Sequence, residues 1–152
     1  MLKPIAVGTA VAGTLDILAA AIVTLIYGRT VEGMLRYVAS GPFPPARLWG
    51  AGGALLGLLV HFALMVIMVM VYVLIARRSE LLRRRPVWGG IAYGIVTYVA
   101  MNLAVVPLRF GAGFPPSLLG FATQFSFHVL LVGIPIALIT ARYLRPRSPT
   151  HS

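Results

Sequence analysis

The chain has 152 residues, 59% of them hydrophobic and only 11% charged, with a mean hydropathy of +0.93; a soluble domain of this length is far more polar, so the composition indicates an integral membrane protein. Thirteen Lys and Arg against three Asp and Glu give a net charge of +10, but the basic residues are scattered through short loops and tails between apolar runs, which suits positive-inside topology and leaves no basic domain to hold a nucleic acid. Cysteine is absent, which excludes disulfides, thiolate metal sites and cysteine nucleophiles.

In chain order, residues 5–27 form a first apolar run broken only by Asp16. That acid argues against a cleaved secretory signal, so the run is expected to be retained as a first membrane span. A short helix is predicted over 30–40, with Thr30 as N-cap, Glu32 in its first turn and Val31, Met34, Leu35 and Val38 on one face. One apolar face on so short a helix suits a position in the membrane interface. Gly41-Pro42-Phe43-Pro44-Pro45 ends it.

The second predicted span, residues 50–76, exceeds the ~20 residues needed to cross ~30 Å of hydrocarbon, and His61 is the one ionisable side chain within its apolar run. Arg77, Arg78, Arg83, Arg84 and Arg85 follow, diluted by Glu80, and Pro86 closes the segment. A third span covers 87–108, with Asn102 inside and Pro107 near its end. Residues 109–116 read as a short loop, and a fourth span covers 117–141, carrying Gln124, His128 and Pro135, the last expected to kink it. The basic tail, 143–152, is expected to be mobile.

The predicted fold is therefore all-α: a single transmembrane domain of four helices in an up-down bundle, plus the interfacial helix. Two repeated hairpins are expected to build it, because Phe43-Pro44-Pro45 before the second span recurs as Phe114-Pro115-Pro116 before the fourth, and Leu74-Ile75-Ala76-Arg77-Arg78 resembles the stretch from Leu138 to Tyr143. Lys3, the five loop arginines, Arg142, Arg145 and Arg147 would lie on one side, against Arg29, Arg36, Arg47 and Arg109 on the other. Nine against four places both termini in the cytoplasm.

Whatever chemistry exists must come from the polar residues inside the spans. His61 and His128 fall at similar depth, about 15 Å from one end of their helices, with Asp16 within about a turn of that level and Asn102 and Gln124 nearer the outer face. In an up-down bundle the second and fourth spans are diagonal neighbours, so the two imidazoles could face each other. That geometry suits a b-type haem held by His61 and His128 for membrane electron transfer. It equally suits a two-histidine, one-carboxylate metal site with Asp16, or a proton relay through the same three groups. The plainest alternative is that Asp16, His61 and Gln124 hydrogen-bond across helices and fix their register. Stripes of small residues, Thr9/Gly13/Asp16/Ala20, Gly53/Gly57/His61 and Gly90/Gly94, mark the packing faces.

Tyr37-Val38-Ala39-Ser40-Gly41, Gly57 to Phe62, Ala76-Arg77-Arg78, and Tyr93-Gly94 through Met101-Asn102 to Val106-Pro107-Leu108 resemble a widespread group of uncharacterised bacterial four-helix membrane proteins, similar to the YagU type of inner-membrane protein. The resemblance implies a bacterial inner-membrane location and brings no activity or catalytic residues. No hydrolase triad, HExxH, phosphate-binding glycine loop or carboxylate pair is present. The expectation is a non-enzymatic inner-membrane protein, a small structural or accessory subunit with lipid, other membrane subunits or itself as partners.

Overall fold

The computed structural model describes residues 1–111 and 117–144, and over these every regular element is helical. Helix α1 spans Leu2–Ile26, α2 Val31–Ala39, α3 Gly50–Arg78, α4 Glu80–Arg84, α5 Pro86–Phe110 and α6 Leu118–Leu144. Four of them, α1, α3, α5 and α6, are long and apolar enough to cross a bilayer, with mean hydropathies of 2.0, 2.8, 1.8 and 1.8. Their outward faces carry large apolar side chains, among them Leu18, Ile22, Leu55 and Leu59, each more than half exposed. So much exposed apolar surface requires lipid around it. Phe114-Pro115-Pro116 and the tail beyond Leu144 lie outside the described residues.

Local signals explain most of the boundaries. Gly28, in the left-handed region at φ 66°, stops α1 while its N–H and that of Arg29 reach back to Leu25 and Thr24. Thr30 caps α2 by accepting from the Gly33 N–H at 3.1 Å. Pro86 opens α5 at its first position, where a missing N–H costs nothing. At the far end of α3, Arg83 donates to the Ala76 and Arg77 carbonyls at 2.9 and 2.8 Å, satisfying acceptors that the helix end would leave orphaned.

Two stretches depart from the α-helical ladder. Val99–Val105 in α5 and His128–Gly133 in α6 are π-helical, and each ends two residues before a proline, Pro107 and Pro135. A proline ring clashes with the carbonyl four residues back and offers it no N–H. Shifting the preceding turn to i→i+5 bonding accommodates both problems. The kink expected at Pro135 thus takes the form of a wide turn before it, and Pro107 has the same effect, which the sequence reading did not anticipate.

Packing does not follow a square. Gly8 abuts Val69 and Gly13 abuts Phe62, so α1 runs antiparallel to α3; Gly90 meets Ile134 and Gly94 meets His128 and Val129, pairing α5 with α6 backbone to backbone. Helix α6 also packs against α1 and α3, whereas α3 and α5 make only sparse contact. The second and fourth spans are therefore direct neighbours, which corrects the diagonal placement expected for an up-down bundle. The cause is steric: the glycines of α1, α5 and α6 admit close approach, while α3 faces α5 with Tyr72, and the Tyr72 and Tyr93 rings stand 4.9 Å apart between them. Tyr93 spans the remaining gap by donating to the Met68 carbonyl at 2.7 Å. A tight core of Val69, Tyr72, Val73, Val132, Ile136 and Ala137 fills the half of the bundle nearer the arginine loop. The other half holds a cavity.

Candidate functional site: an intramembrane acceptor cluster

The cavity has a volume of about 470 Å³, inside the usual range of small-molecule sites. All five polar residues singled out above line it: Asp16 from α1, His61 from α3, Asn102 from α5, and Gln124 and His128 from α6. Leu64, Met65, Met68, Met101 and Val132 supply apolar walls, and Tyr37 of α2 reaches it from the loop end. Asp16, His61 and His128 each stand about ten residues from the α2-side end of their helices, about 15 Å deep at 1.5 Å per residue.

Each histidine spends one ring nitrogen on a backbone carbonyl. His61 Nε2 lies 2.9 Å from the Gly13 carbonyl oxygen, across the α1–α3 contact, and His128 Nδ1 lies 2.9 Å from the Gln124 carbonyl one turn back. A carbonyl only accepts, so those nitrogens carry the hydrogens. In the neutral rings, His61 Nδ1 and His128 Nε2 are then left as lone-pair acceptors. Asn102 differs: its amide nitrogen gives one of two hydrogens to the Tyr98 carbonyl at 3.3 Å, leaving the second hydrogen and the side-chain oxygen to the cavity.

Asp16 stands opposite the free nitrogen of His61, with Oδ2 4.0 Å from Nδ1. That separation is too long for a direct hydrogen bond. His128 is also within electrostatic reach of the carboxyl. Among the described residues no three His, Asp or Glu side chains converge closely enough to hold a metal ion. The anticipated two-histidine, one-carboxylate metal site is thus not assembled, because the His128 ring is turned back onto its own helix. The haem alternative requires a free ring nitrogen on each histidine aimed at a common iron. Here one nitrogen of each ring is held by a backbone carbonyl, Gly13 for His61 and Gln124 for His128, and the free Nδ1 of His61 faces the Asp16 carboxyl at 4.0 Å.

At the α2 end of the cavity Tyr37 belongs to a clasp that sequence reasoning missed. The Tyr37 and Phe110 rings stack at 4.4 Å, with the Arg47 guanidinium 5.0 Å from the centre of Tyr37. Arg47 Nε donates to Ser40 Oγ at 3.1 Å, and Arg109 donates to the Ser40 and Gly41 carbonyls. Burial pushes the Tyr37 phenol above its ordinary value, against the opposing pull of Arg47. It stays neutral at physiological pH, so the Arg47 contact is cation–π in character. The aromatic and arginine pairs that form the clasp are separated by up to about seventy residues, which is why no local motif announced them.

No family model, curated protein or solved structure matches this chain.

Proposed function

We propose that the chain is a small, non-enzymatic protein of a bacterial inner membrane that handles protons at Asp16, His61 and His128. The observation that carries this is the Asp16 carboxyl standing opposite the lone-pair nitrogen of His61 at membrane depth. A carboxylate at that depth costs several kcal/mol unless a proton or a partner relieves it, and the nearest group, His61 Nδ1, offers a lone pair across 4.0 Å. A proton added to either group satisfies the pair: imidazolium faces carboxylate, or carboxyl and imidazole share water. The accessory-subunit and haem readings draw no comparable support from the site.

In proteoliposomes carrying an imposed pH gradient, the wild-type chain is expected to dissipate the gradient faster than protein-free vesicles, and Asp16→Asn to reduce that excess at least tenfold. Wild-type behaviour from the Asn variant would overturn the proposal. The purified protein is expected to be colourless; a Soret band that shifts on reduction would reinstate haem.

The proposed orientation has both termini in the cytoplasm, α2 lying in the opposite interface and the two hairpins as repeats of one unit. Positive-inside asymmetry supports it, and Trp49 and Trp88, both more than half exposed at opposite ends of the bundle, suit the two interfaces without distinguishing them. Accessibility labelling of cysteines introduced at the exposed Leu48 and Leu81 is expected to mark the first from outside and the second only after the membrane is opened. The reverse pattern would invert the assignment.

A further inference from the structure

We infer that the cavity is a binding site for a small organic monoamine in its ammonium form, the N–H donors held by Asp16 and His61 Nδ1 and the apolar body lying against Met65, Met68 and Leu64. This rests on the proton reading, because amine and proton would compete for the same carboxylate.

Donor and acceptor inventory selects the class of ligand. The ring hydrogens of His61 and His128 are spent on the Gly13 and Gln124 carbonyls, so their free nitrogens accept, whereas Asn102 keeps one amide hydrogen and Gln124 brings its side-chain amide to the wall. A carboxylate or phosphate placed between Asp16 and His61 Nδ1 would meet acceptors and be repelled. The arginines nearest the cavity, Arg47 and Arg109, are committed to Ser40 and Gly41 in the clasp. A bare metal ion lacks a ligand set among the described residues. An ammonium nitrogen, by contrast, brings donors alone.

Geometry agrees with the inventory. An ammonium nitrogen placed about 2.9 Å from each of two acceptors separated by 4.0 Å sees them at an angle of about 90°, close enough to tetrahedral for two N–H groups to reach both. Only one carboxylate is present, which suits a single positive charge. The 470 Å³ volume accommodates an aryl or short alkyl body. Methionine walls adapt to such bodies without a fixed shape.

Binding balances simply: Asp16 in its carboxyl form takes up R–NH3⁺ and releases one proton. The titratable groups that face Asp16 are His61 on α3 and His128 on α6, and Tyr37 of α2 lines the cavity at its end; α5 contributes only the uncharged Asn102. Affinity should therefore fall as pH is lowered, when protons occupy the acceptors.

The test is calorimetric titration of the full chain in nanodiscs with 2-phenylethylamine. Two controls accompany it: 2-phenylethanol, of the same shape without the charge, and the N,N,N-trimethyl derivative, charged without N–H donors. A charged hydrogen bond is worth ~1.5–3 kcal/mol, so both controls are expected to bind at least tenfold more weakly. Amine binding should release about one proton in a weakly buffered solution. Asp16→Asn should abolish it and Asp16→Glu should retain it, with thermal unfolding confirming that both variants are folded. Equal binding of the alcohol or the trimethyl derivative, or no binding of the amine, overturns the inference whatever the variants do. If the amine fails while the Asp16-dependent pH dissipation persists, this inference falls and the proton reading stands; if that dissipation is absent, the proton reading falls first.

Discussion

Replacing Gly94 with leucine is expected to separate α5 from α6 and to produce the largest loss of stability of any single change described for this chain. A β-carbon at that position would meet the Val129 Cα and the His128 carbonyl at 2.6 Å, both of them backbone atoms with no rotamer to yield. Overpacking commonly costs ~1–3 kcal/mol where side chains can move aside; here a helix has to move, and the upper end or more is expected. His128 sits at the contact, so the cavity should be distorted as well. Gly52→Leu is the control, since nothing lies within 4 Å of its added carbon, and it should leave unfolding unchanged or slightly improved. Denaturation of the two variants in the same detergent or lipid discs makes the comparison. Equal stability for the two would contradict the backbone contact between α5 and α6.

The second large effect is expected at His61. Leucine there removes the hydrogen bond to the Gly13 carbonyl and leaves Asp16 facing an apolar group. Losing a buried bond of this kind costs ~1–3 kcal/mol, and the Asp16 carboxyl left without a polar neighbour adds to it. Combining His61→Leu with Asp16→Asn should recover part of the loss, because the second change removes the acid that the first has isolated. Strict additivity of the two changes in a double-mutant cycle would show that the groups do not interact. A wild-type unfolding midpoint for His61→Leu alone would make the bond to α1 incidental.

Four apolar runs were legible because every long helix that crosses lipid must declare itself in hydropathy. Their ends moved by only a few residues, for instance from 27 to Ile26 in α1 and from 141 to Leu144 in α6. The α2 cap was also legible, since Thr30 bonds within three residues of itself. Neighbour choice was not. It depends on which glycine faces which backbone, and Gly133, which meets Gly90 and Gly94, begins a Gly133/Ala137/Ala141 stripe that the sequence reading passed over. The same limit applies at the site. Depth along a helix can be counted, so Asp16, His61 and His128 could be assigned to similar levels, with Asn102 and Gln124 nearer the outer face. The hydrogen-bond partners of the histidines are backbone carbonyls, which every residue possesses, and no residue type marks which one a ring will choose. Gly13 appeared in the sequence only as a packing position; its lack of a side chain is what exposes its carbonyl to His61.

The wide turns before Pro107 and Pro135 carry one further consequence, concerning the phase of the helices. An i→i+5 turn accommodates more residues than an α-turn over the same path, and each residue of an α-helix turns the chain by about 100°. Deleting a single residue from His128–Gly133 would let an ordinary α-ladder form over that same path, so everything after it would keep its facing. Deleting one from the α-helical stretch Leu118–Phe127 would instead swing everything after it by about 100°. Ile136, Ala137 and Thr140, now fully or almost fully enclosed, would then rotate off the α3 and α1 surfaces, and lipid-facing Leu138 would rotate inward. The two wide turns are thus the places within the spans where the loss of one residue should be tolerated, and the α-helical stretches before them are where it should be refused.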